Sequence, residues 1–218
     1  LDDLVDQNIV YGCECTRKQI KAMGGVYDQT CLNKQLDINA NPIRLKQTNP
    51  VYQFEDGLFG VQECPAEMAQ EDYIIKRRDG LFSYQLAVVV DDIDQGITHI
   101  VRGADIMPLT ARQIALYQTF NVPAPKYIHL PLAVTEPGQK LSKQNHATAI
   151  NINNPLPELL SALAFLGFEP DYLKQHVDLS DELACKRLLD VAIATAKTHW
   201  RDLESLKSAL PRQLEITI

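Results

Sequence analysis

The 218-residue sequence has no apolar run that approaches the roughly 18 or more residues of a membrane-spanning helix. Its beginning also lacks a charged segment followed by an apolar stretch, the pattern that marks a secretory signal peptide. The five cysteines are an odd number, and a chain of this length does not need a disulfide scaffold. These absences favour a cytoplasmic protein with reduced thiols and no membrane partner.

Positive charge is also scarce, because the net charge is −7 at pH 7. This charge argues against a broadly basic surface that grips phosphates, although a local basic patch can still bind RNA. The segment KRRDG, which contains Lys76, Arg77 and Arg78, is one candidate for such a patch, and a solvated turn is the alternative. The sequence has no internal repeat and no low-complexity segment, and its 45% of hydrophobic residues can form a core.

Hydrophobic patterning divides the middle of the chain into short strands and a helix. Strands are predicted at Tyr73 to Ile75, at Leu86 to Val90 (LAVVV), in ITHIV before Arg102, and in YIHLPLAV. The LAVVV run is continuously apolar, which is typical of a strand buried on both faces of a parallel sheet. The segment PLTARQIALYQTF places apolar residues on one side of a helix. This order of strands and helix predicts an α/β fold.

Helices are predicted on both sides of this region. The opening segment LDDLVDQNIV has apolar residues at helical spacing. After Asn154 the chain becomes helical again, because Asn154 and Pro155 favour a helix start, and this helix ends near Gly167. Ser180 is a candidate cap for a second helix, DELACKRLLDVAIATAKTHW, and RDLESLKSAL is predicted to form a last short one.

Three of the five cysteines lie close together near the start of the chain. Cys13-x-Cys15 is followed by a GG turn, then by Tyr27 and Cys31. Thiolates bind zinc well, but three of them leave one tetrahedral position, for which Tyr27 offers an unusual phenol oxygen. Spacing alone leaves a zinc site and a set of small buried side chains equally open. A redox pair is disfavoured because the spacing is C-x-C and not C-x-x-C.

A second candidate site lies in and around GQKLSKQN. Lys140 and Lys143 stand three residues apart on a glycine-containing loop, where two ammonium groups suit the phosphates of a reacting polyphosphate. Arg102 follows a predicted strand and offers a planar fork for a carboxylate, and Tyr84 offers a hydroxyl and a ring. Three aspartates are further candidates, with helix capping or surface solvation as the alternative: Asp91, Asp92 and Asp105. Ligands of open α/β sheets bind beyond the carboxyl ends of strands, which favours a site here. A solvated loop with structural side chains is the alternative.

Together, these motifs resemble a known family. KLSKQNHA is similar to the KMSKS signature of class I aminoacyl-tRNA synthetases, with Leu141 in place of methionine and Gln144 in place of the final serine. The segment from DGLFSYQLAVVVDD to YIHLPL resembles the catalytic domain of glutamyl-tRNA synthetases. The segments CECTR and GGVYDQTC resemble the zinc motif of the glutamyl-Q tRNA(Asp) synthetases, which are shortened paralogues. The resemblance covers nearly all of residues 8–150 and, more loosely, the helical tail.

The resemblance implies a fold and a division of the chain. The expected fold is the later part of a class I synthetase Rossmann-type catalytic domain, with a small zinc-binding insertion. Residues 1–70 would hold the zinc-binding insertion and a connecting segment, and residues 71–150 the second half of the catalytic domain with the KLSK loop. Residues 151–218 would form a helical C-terminal region.

The resemblance also implies an activity. Members of this family activate L-glutamate with ATP and transfer the glutamyl group to the queuosine base of tRNA(Asp). The expected protein is therefore a ligase-type aminoacyltransferase that takes L-glutamate, ATP with Mg²⁺, and tRNA(Asp), carries a structural Zn²⁺ and acts as a monomer. Because few residues follow the KLSK loop, we expect the shortened paralogue without the large anticodon-binding domain of a full glutamyl-tRNA synthetase.

Site residues are carried over by motif. The implied zinc ligands are Cys13, Cys15, Tyr27 and Cys31. The implied glutamate contacts are Tyr84 and Arg102. The implied catalytic lysines are Lys143, which also contacts ATP, and Lys140.

One motif of the family is missing. Class I synthetases begin with a HIGH-type motif that binds ATP, and the 218 residues contain no H-x-G-H. The sequence also opens without methionine and reads there as the middle of a helix. We therefore expect that this chain lacks the first nucleotide-binding half and that it forms the adenylate inefficiently by itself. Two alternatives stay open: a fragment of a true glutamyl-tRNA synthetase, and a non-catalytic zinc-bearing RNA-binding module.

Overall fold

The computed structural model describes residues 1–136, 138–199, 204–205, 208 and 215–217. The chain forms two compact units, each with its own hydrophobic core. The first unit comprises Leu1–Asp56, Gly60–Ile100 and Ile106–Tyr127. The second comprises Gly57–Phe59, Val101–Asp105 and the described residues from Ile128 onward. The three-part division expected from the sequence stays a prediction.

The first unit contains a small antiparallel sheet and several short helices. Its elements in chain order are α1 (Asp2–Asp6), β1 (Val10–Gly12), α2 (Arg17–Ala22), β2 (Ile43–Leu45), β3 (Gln53–Asp56), β4 (Gly60–Glu63), α3 (Ala66–Ala69), β5 (Tyr73–Lys76), α4 (Tyr84–Asp94) and α5 (Thr110–Thr119). Strands β1, β2 and β5 form one sheet in that order, and both pairs are antiparallel. The strand predicted at Tyr73 to Ile75 is confirmed as β5.

Two further strands each begin in the first unit and end in the second. They are β6 (His99–Gly103) and β7 (Lys126–Leu130). With β3 and β4 they form a sheet in the order β4-β3-β7-β6, in which β3 pairs antiparallel with β4 and parallel with β7. The strand predicted before Arg102 is confirmed as β6, which continues through Gly103. Mixed sheets together with helices confirm the α/β class.

The second unit combines a small sheet with a helical core. Its further elements are β8 (Leu132–Glu136), β9 (Gln139–Lys140), α6 (Pro155–Phe165), α7 (Pro170–His176), α8 (Ala184–His199) and β10 (Glu215–Thr217). Strand β8 pairs antiparallel with β9 and parallel with β10. The helical core includes the fully buried Leu173 and Leu188. None of the helices in the described part of the chain is long and apolar enough to cross a membrane.

Several predicted boundaries need correction in this unit. The single strand predicted in YIHLPLAV is two strands, β7 and β8, separated at Pro131, which has no backbone N–H for a sheet hydrogen bond. Asn154 is confirmed as the cap of α6. Ser180 does not cap α8, which begins at Ala184, because the Ser180 hydroxyl donates instead to Asp178 Oδ1 at 2.6 Å. Most of the predicted last helix, RDLESLKSAL, lies outside the described residues.

The strand predicted for LAVVV is wrong, because Leu86 to Val90 lie inside helix α4. Leu86 and Val89, three residues apart, are buried, whereas Val90 is 45% exposed, so one helix face packs on the core. Helix α4 also contacts α5, where Gln113 Nε2 donates to Gln85 Oε1 at 2.9 Å. A short apolar run does not distinguish a buried strand from a buried helix segment, and packing overrides the modest strand preference of valine.

Candidate functional site

Three cysteine sulfurs meet beside β1 and α2. Cys13, Cys15 and Cys31 place their sulfur atoms within 4.8 Å of one another, and the Cys15 and Cys31 sulfurs are 3.5 Å apart. All three thiols are free. In a tetrahedral site with zinc–sulfur bonds of about 2.3 Å, two sulfurs lie on the order of 3.8 Å apart. The sulfur spacing therefore fits a single metal ion.

Local backbone geometry brings these cysteines together. Thr16 begins α2 with a capping box, in which its hydroxyl accepts from the Gln19 N–H and the Gln19 side chain accepts from the Thr16 N–H. After α2, Gly24 and Gly25 have φ angles of +95° and +90°, a region that glycine enters without steric cost. The chain turns back at these glycines, as the GG pair predicts, and returns Cys31 to the start of the helix.

Tyr27 lies at the same cluster. It is buried, and its phenol oxygen accepts a hydrogen bond from the Cys31 N–H at 2.8 Å. The Tyr27 N–H donates to Glu71 Oε1 at 2.9 Å, and Glu71 forms an ion pair with Arg112. Tyr27 is thus held at its backbone and at its hydroxyl, with an oxygen next to the Cys31 thiol. Three sulfurs and this oxygen are four candidate donors, which is the number that a closed zinc site requires.

A buried arginine, Arg44, lies directly against these donors. Its Nε donates to Cys13 Sγ at 3.1 Å, and its Nη1 donates to the Asp72 carbonyl at 2.6 Å. The guanidinium carbon lies 3.5 Å from the centroid of the Tyr27 ring. Arg44 is only 3% exposed, so its charge acts on the sulfurs with little screening by water. The sequence reasoning missed Arg44, because it lies on β2, outside the cysteine segment.

The environment shifts the pKa values of these donors in different directions. Burial raises the pKa of the Cys15 thiol to about 12, and its hydrogen bond with Cys31 adds to this effect. Burial also raises the pKa of the Tyr27 phenol. Burial acts to raise the pKa of Cys31 as well, but hydrogen bonds from the Glu14 backbone and from Cys15 and Tyr27 lower it on balance. The Cys15 thiol and the Tyr27 phenol therefore keep their protons at neutral pH until a metal ion displaces them.

The KLSK loop follows β8 in the second unit. Lys140 lies on β9, where its Nζ pairs with Asp105 Oδ2 at 2.5 Å. Asn145 Nδ2 donates to the Lys140 carbonyl at 2.7 Å, which closes the loop on itself. Lys143 begins a short 3-10 helix, Lys143–Asn145, and its side chain lies outside the part of the chain that the structure describes. The structure thus brings together Lys140 and the further candidate Asp105.

Arg102 was expected just after a strand, but it lies within β6 near its carboxyl end, in the second unit. Its Nε donates to Nε2 of His129 at 3.0 Å, and His129 is fully buried on β7. Because Nε2 accepts this bond, His129 carries its ring proton on Nδ1 when the ring is neutral. His129 orients the guanidinium plane, a role that no spacing in the sequence indicated.

Tyr84 belongs to the first unit. It was expected just before a strand, but it is the first residue of helix α4, and its side chain is 51% exposed. Ser83 precedes it at the cap position without a side-chain capping bond. The hydroxyl and ring of Tyr84 are therefore presented at a helix N-terminus, where backbone N–H groups favour a negatively charged ligand.

Comparison with known proteins shows similarity across most of the chain. Residues 1–184 match the model of the family tRNA synthetases class I (E and Q), catalytic domain. The chain is 49% identical over 217 residues to the glutamyl-Q tRNA(Asp) synthetase of Vibrio parahaemolyticus serotype O3:K6 (strain RIMD 2210633), which covers 100% of this chain and 68% of that relative. It is 54% identical over 180 residues to the glutamyl-Q tRNA(Asp) synthetase of Yersinia pseudotuberculosis serotype I (strain IP32953), which covers 82% of this chain and 54% of that relative.

A solved structure supports the fold. The chain is similar to a glutamate tRNA ligase from Elizabethkingia meningosepticum CCUG26117, crystallised in complex with its amino acid, with a TM-score of 0.61 and 21% identity. The similarity covers 86% of this chain and 45% of that one. The chain spans 68% of the length of the Vibrio relative and 54% of the length of the Yersinia relative. From the family match and the identity to these relatives, the chain belongs to the class I tRNA synthetases for glutamate and glutamine.

Proposed function

We propose that the protein activates L-glutamate with ATP and transfers the glutamyl group to the queuosine base of tRNA(Asp). The observation that carries the proposal is the 49% identity, along the whole chain, to a relative named glutamyl-Q tRNA(Asp) synthetase. The proposal concerns the whole protein, because the chain spans only about two thirds of the length of that relative. We further propose that it acts as a monomer in the cytoplasm.

Glutamate recognition is assigned to Arg102 and Tyr84. The guanidinium fork of Arg102 suits a carboxylate of glutamate, and the bond from Nε to His129 fixes the plane in which that fork lies. The exposed hydroxyl of Tyr84 is a second polar contact for the amino acid. This assignment rests on the motif and on the way His129 holds Arg102.

Activation is a displacement at the α-phosphate of ATP. The glutamate carboxylate attacks the phosphorus, pyrophosphate leaves, and glutamyl adenylate forms. A nucleophilic group of the queuosine base then attacks the glutamyl carbonyl, and AMP leaves. Lys140 and Lys143 are assigned to offset the negative charge that builds up on the phosphates, with Mg²⁺ as the companion cation of ATP. Before ATP binds, Lys140 pairs with Asp105.

Zinc binding is assigned to Cys13, Cys15, Tyr27 and Cys31. The close sulfurs and the adjacent phenol oxygen support this donor set. A closed site of four protein donors supplies folding free energy and leaves no position for a substrate. The ion would therefore clip the segment between β1 and β2 into its folded form, and the transfer chemistry would stay with the other residues.

Labelled glutamate tests the transfer. The protein expressed from its complete reading frame is incubated with ATP, labelled glutamate and one of three RNAs: tRNA(Asp) with queuosine, tRNA(Asp) without it, or tRNA(Glu). The proposal predicts label only on the first. Label on tRNA(Glu) would instead identify a glutamyl-tRNA synthetase, and RNA binding without any labelling would identify a non-catalytic RNA-binding module.

A matched pair of variants tests the glutamate contact. Arg102→Gln is expected to weaken glutamate binding at least about tenfold, because a charge-assisted hydrogen bond contributes about 1.5–3 kcal/mol. Arg187→Gln, which removes an arginine from a surface ion pair with Asp181 on the same unit, leaves glutamate binding unchanged. Equal glutamate affinities for the two variants would rule out the role of Arg102.

A further inference from the structure

A concave surface in the first unit, outside the residues assigned above to glutamate and ATP, is unusually basic. This arginine groove is about 730 Å³ in volume and is lined by residues of α2, of β2 and of the turn that follows β5. One wall contains the metal-ligand candidate Cys15. The charged and hydroxyl side chains that line it are Arg17, Arg44, Arg77, Arg78, Asp79 and Ser83.

The groove concentrates positive charge on a chain whose net charge is −7. Four arginines line it against a single aspartate. Arg77 Nη2 pairs with Asp79 Oδ2 at 2.5 Å, whereas Arg17 and Arg78 are exposed and pair with no acidic side chain among the described residues. Long-range attraction of an anion depends on the local field rather than on the net charge, so this groove suits a negatively charged partner.

The groove also contains a hydroxyl group without a hydrogen-bond partner and the N-terminus of a helix. Ser83 Oγ is buried and has no hydrogen-bond partner within the described part of the chain. Ser83 is the cap residue of α4, so the first N–H groups of that helix lie next to it and add a partial positive charge. Phosphate oxygens are acceptors that suit both exposed arginines and the N–H groups of a helix terminus.

We propose that the arginine groove binds the phosphodiester backbone of the RNA substrate; this inference rests on the proposed function. None of the described residues that line the groove is aromatic, so it offers no platform on which a nucleotide base could stack. This composition favours a sugar–phosphate backbone over a free nucleoside triphosphate. Ser83 directly precedes Tyr84, so the groove borders one of the two assigned glutamate contacts along the chain.

The salt dependence of RNA binding tests the groove. A fluorescently labelled stem–loop of tRNA(Asp) that contains the queuosine position is titrated with the full 218-residue chain, and anisotropy is measured at several salt concentrations. Arg17→Gln and Arg78→Gln are each expected to lower affinity about five- to tenfold near 0.1 M salt. Each is also expected to reduce the slope of log K against log salt by about 0.7–0.9, the value for one lost phosphate contact. Lys21→Gln removes a charge from the same helix off the groove and leaves the slope unchanged.

A variant that is expected to bind RNA more tightly serves as a control, because misfolding could lower the affinity of a variant but would not raise it. Asp79→Asn removes the carboxylate that pairs with Arg77 while keeping a side-chain oxygen for the Leu81 N–H. It is expected to raise RNA affinity severalfold and to steepen the salt slope. Unchanged affinity and slope in all three groove variants would overturn the proposal.

Competition with ATP shows whether the groove binds the phosphates of RNA or those of ATP. Excess ATP is expected to leave the groove-dependent part of RNA binding intact, and complete displacement of the RNA by ATP would contradict an RNA site. Failure of the groove is distinguishable from failure of the proposed function. If the glutamyl transfer occurs but the groove variants bind RNA normally, only the groove assignment is wrong. If the groove variants lose RNA binding but no transfer occurs, only the proposed function is wrong.

Discussion

Replacing Arg44 by methionine is expected to weaken both the fold of the first unit and its affinity for metal. Methionine fills most of the space of the arginine stem but removes the guanidinium. The lost bond to the Asp72 carbonyl, at 2.6 Å, contributes about 1.5–3 kcal/mol, and the contact with the Tyr27 ring contributes about 1–2 kcal/mol. Relief of the desolvation of a buried charge offsets part of this loss.

The net loss of stability in the metal-free chain is expected to be about 2–4 kcal/mol, which lowers the melting temperature by about 5–15 °C. Metal affinity is expected to fall about 10–100-fold, because Arg44 Nε contacts Cys13 Sγ and balances the charge of the thiolates. Urea unfolding in the presence of a chelator measures the first effect. Competition for zinc with a chromophoric chelator measures the second.

Arg44→Lys separates the effect of the positive charge from that of the planar guanidinium group. Lysine keeps the positive charge but not the planar fork, so we expect a similar loss of stability with a smaller loss of metal affinity. The reasoning fails if Arg44→Met unfolds at the wild-type urea concentration and binds zinc within about twofold of the wild type, since a factor of two is below the effect of an outer-shell contact.

Three further perturbations have expected outcomes. Because the Cys15 thiol and the Tyr27 phenol keep their protons at neutral pH, zinc binding should release at least two protons per ion and should weaken as pH falls. Tyr27→Phe should release one proton fewer, as measured by calorimetry in two buffers, and an unchanged proton count would exclude Tyr27 as a ligand. Glu71→Gln should lower the free energy of unfolding in urea by about 2–3 kcal/mol, because Glu71 pairs with Arg112 and accepts from the Tyr27 N–H. Glu14→Gln, which removes one side of an exposed ion pair, should lower it by less than about 1 kcal/mol. Equal losses would contradict the structural role of Glu71. Asp105→Asn should speed tryptic cleavage after Lys140 up to about fivefold by releasing its ion pair, and an unchanged rate would mean that this pair does not restrain the loop.

Features that depend on neighbouring residues were predictable from the sequence. The spacing of Cys13, Cys15 and Cys31 left a metal site and separate buried thiols equally open, the family resemblance implied a shared site, and the structure places the three sulfurs together. Strands β5 and β6 and helix α5 also follow their local patterns. In each case the signal lies within one element or one turn, where periodicity and glycine geometry decide the conformation.

Features that depend on distant residues were not predictable. The contact between Arg44 and Cys13, and the bond between Arg102 and His129, join separate strands that only tertiary packing brings together. The same reason explains the error at LAVVV, where packing against α5 selects a helix for a short run that suits either structure. The role of Lys143 stays a prediction.

Mass spectrometry of the reaction product tests the account most directly. Queuosine-containing tRNA(Asp) is incubated with glutamate, ATP and the protein from its complete reading frame. It is then digested so that the fragment with queuosine and the 3′-terminal fragment are separate. The account predicts that the mass of one glutamyl group is added to the fragment with queuosine. A glutamyl group on the 3′-terminal adenosine would contradict it.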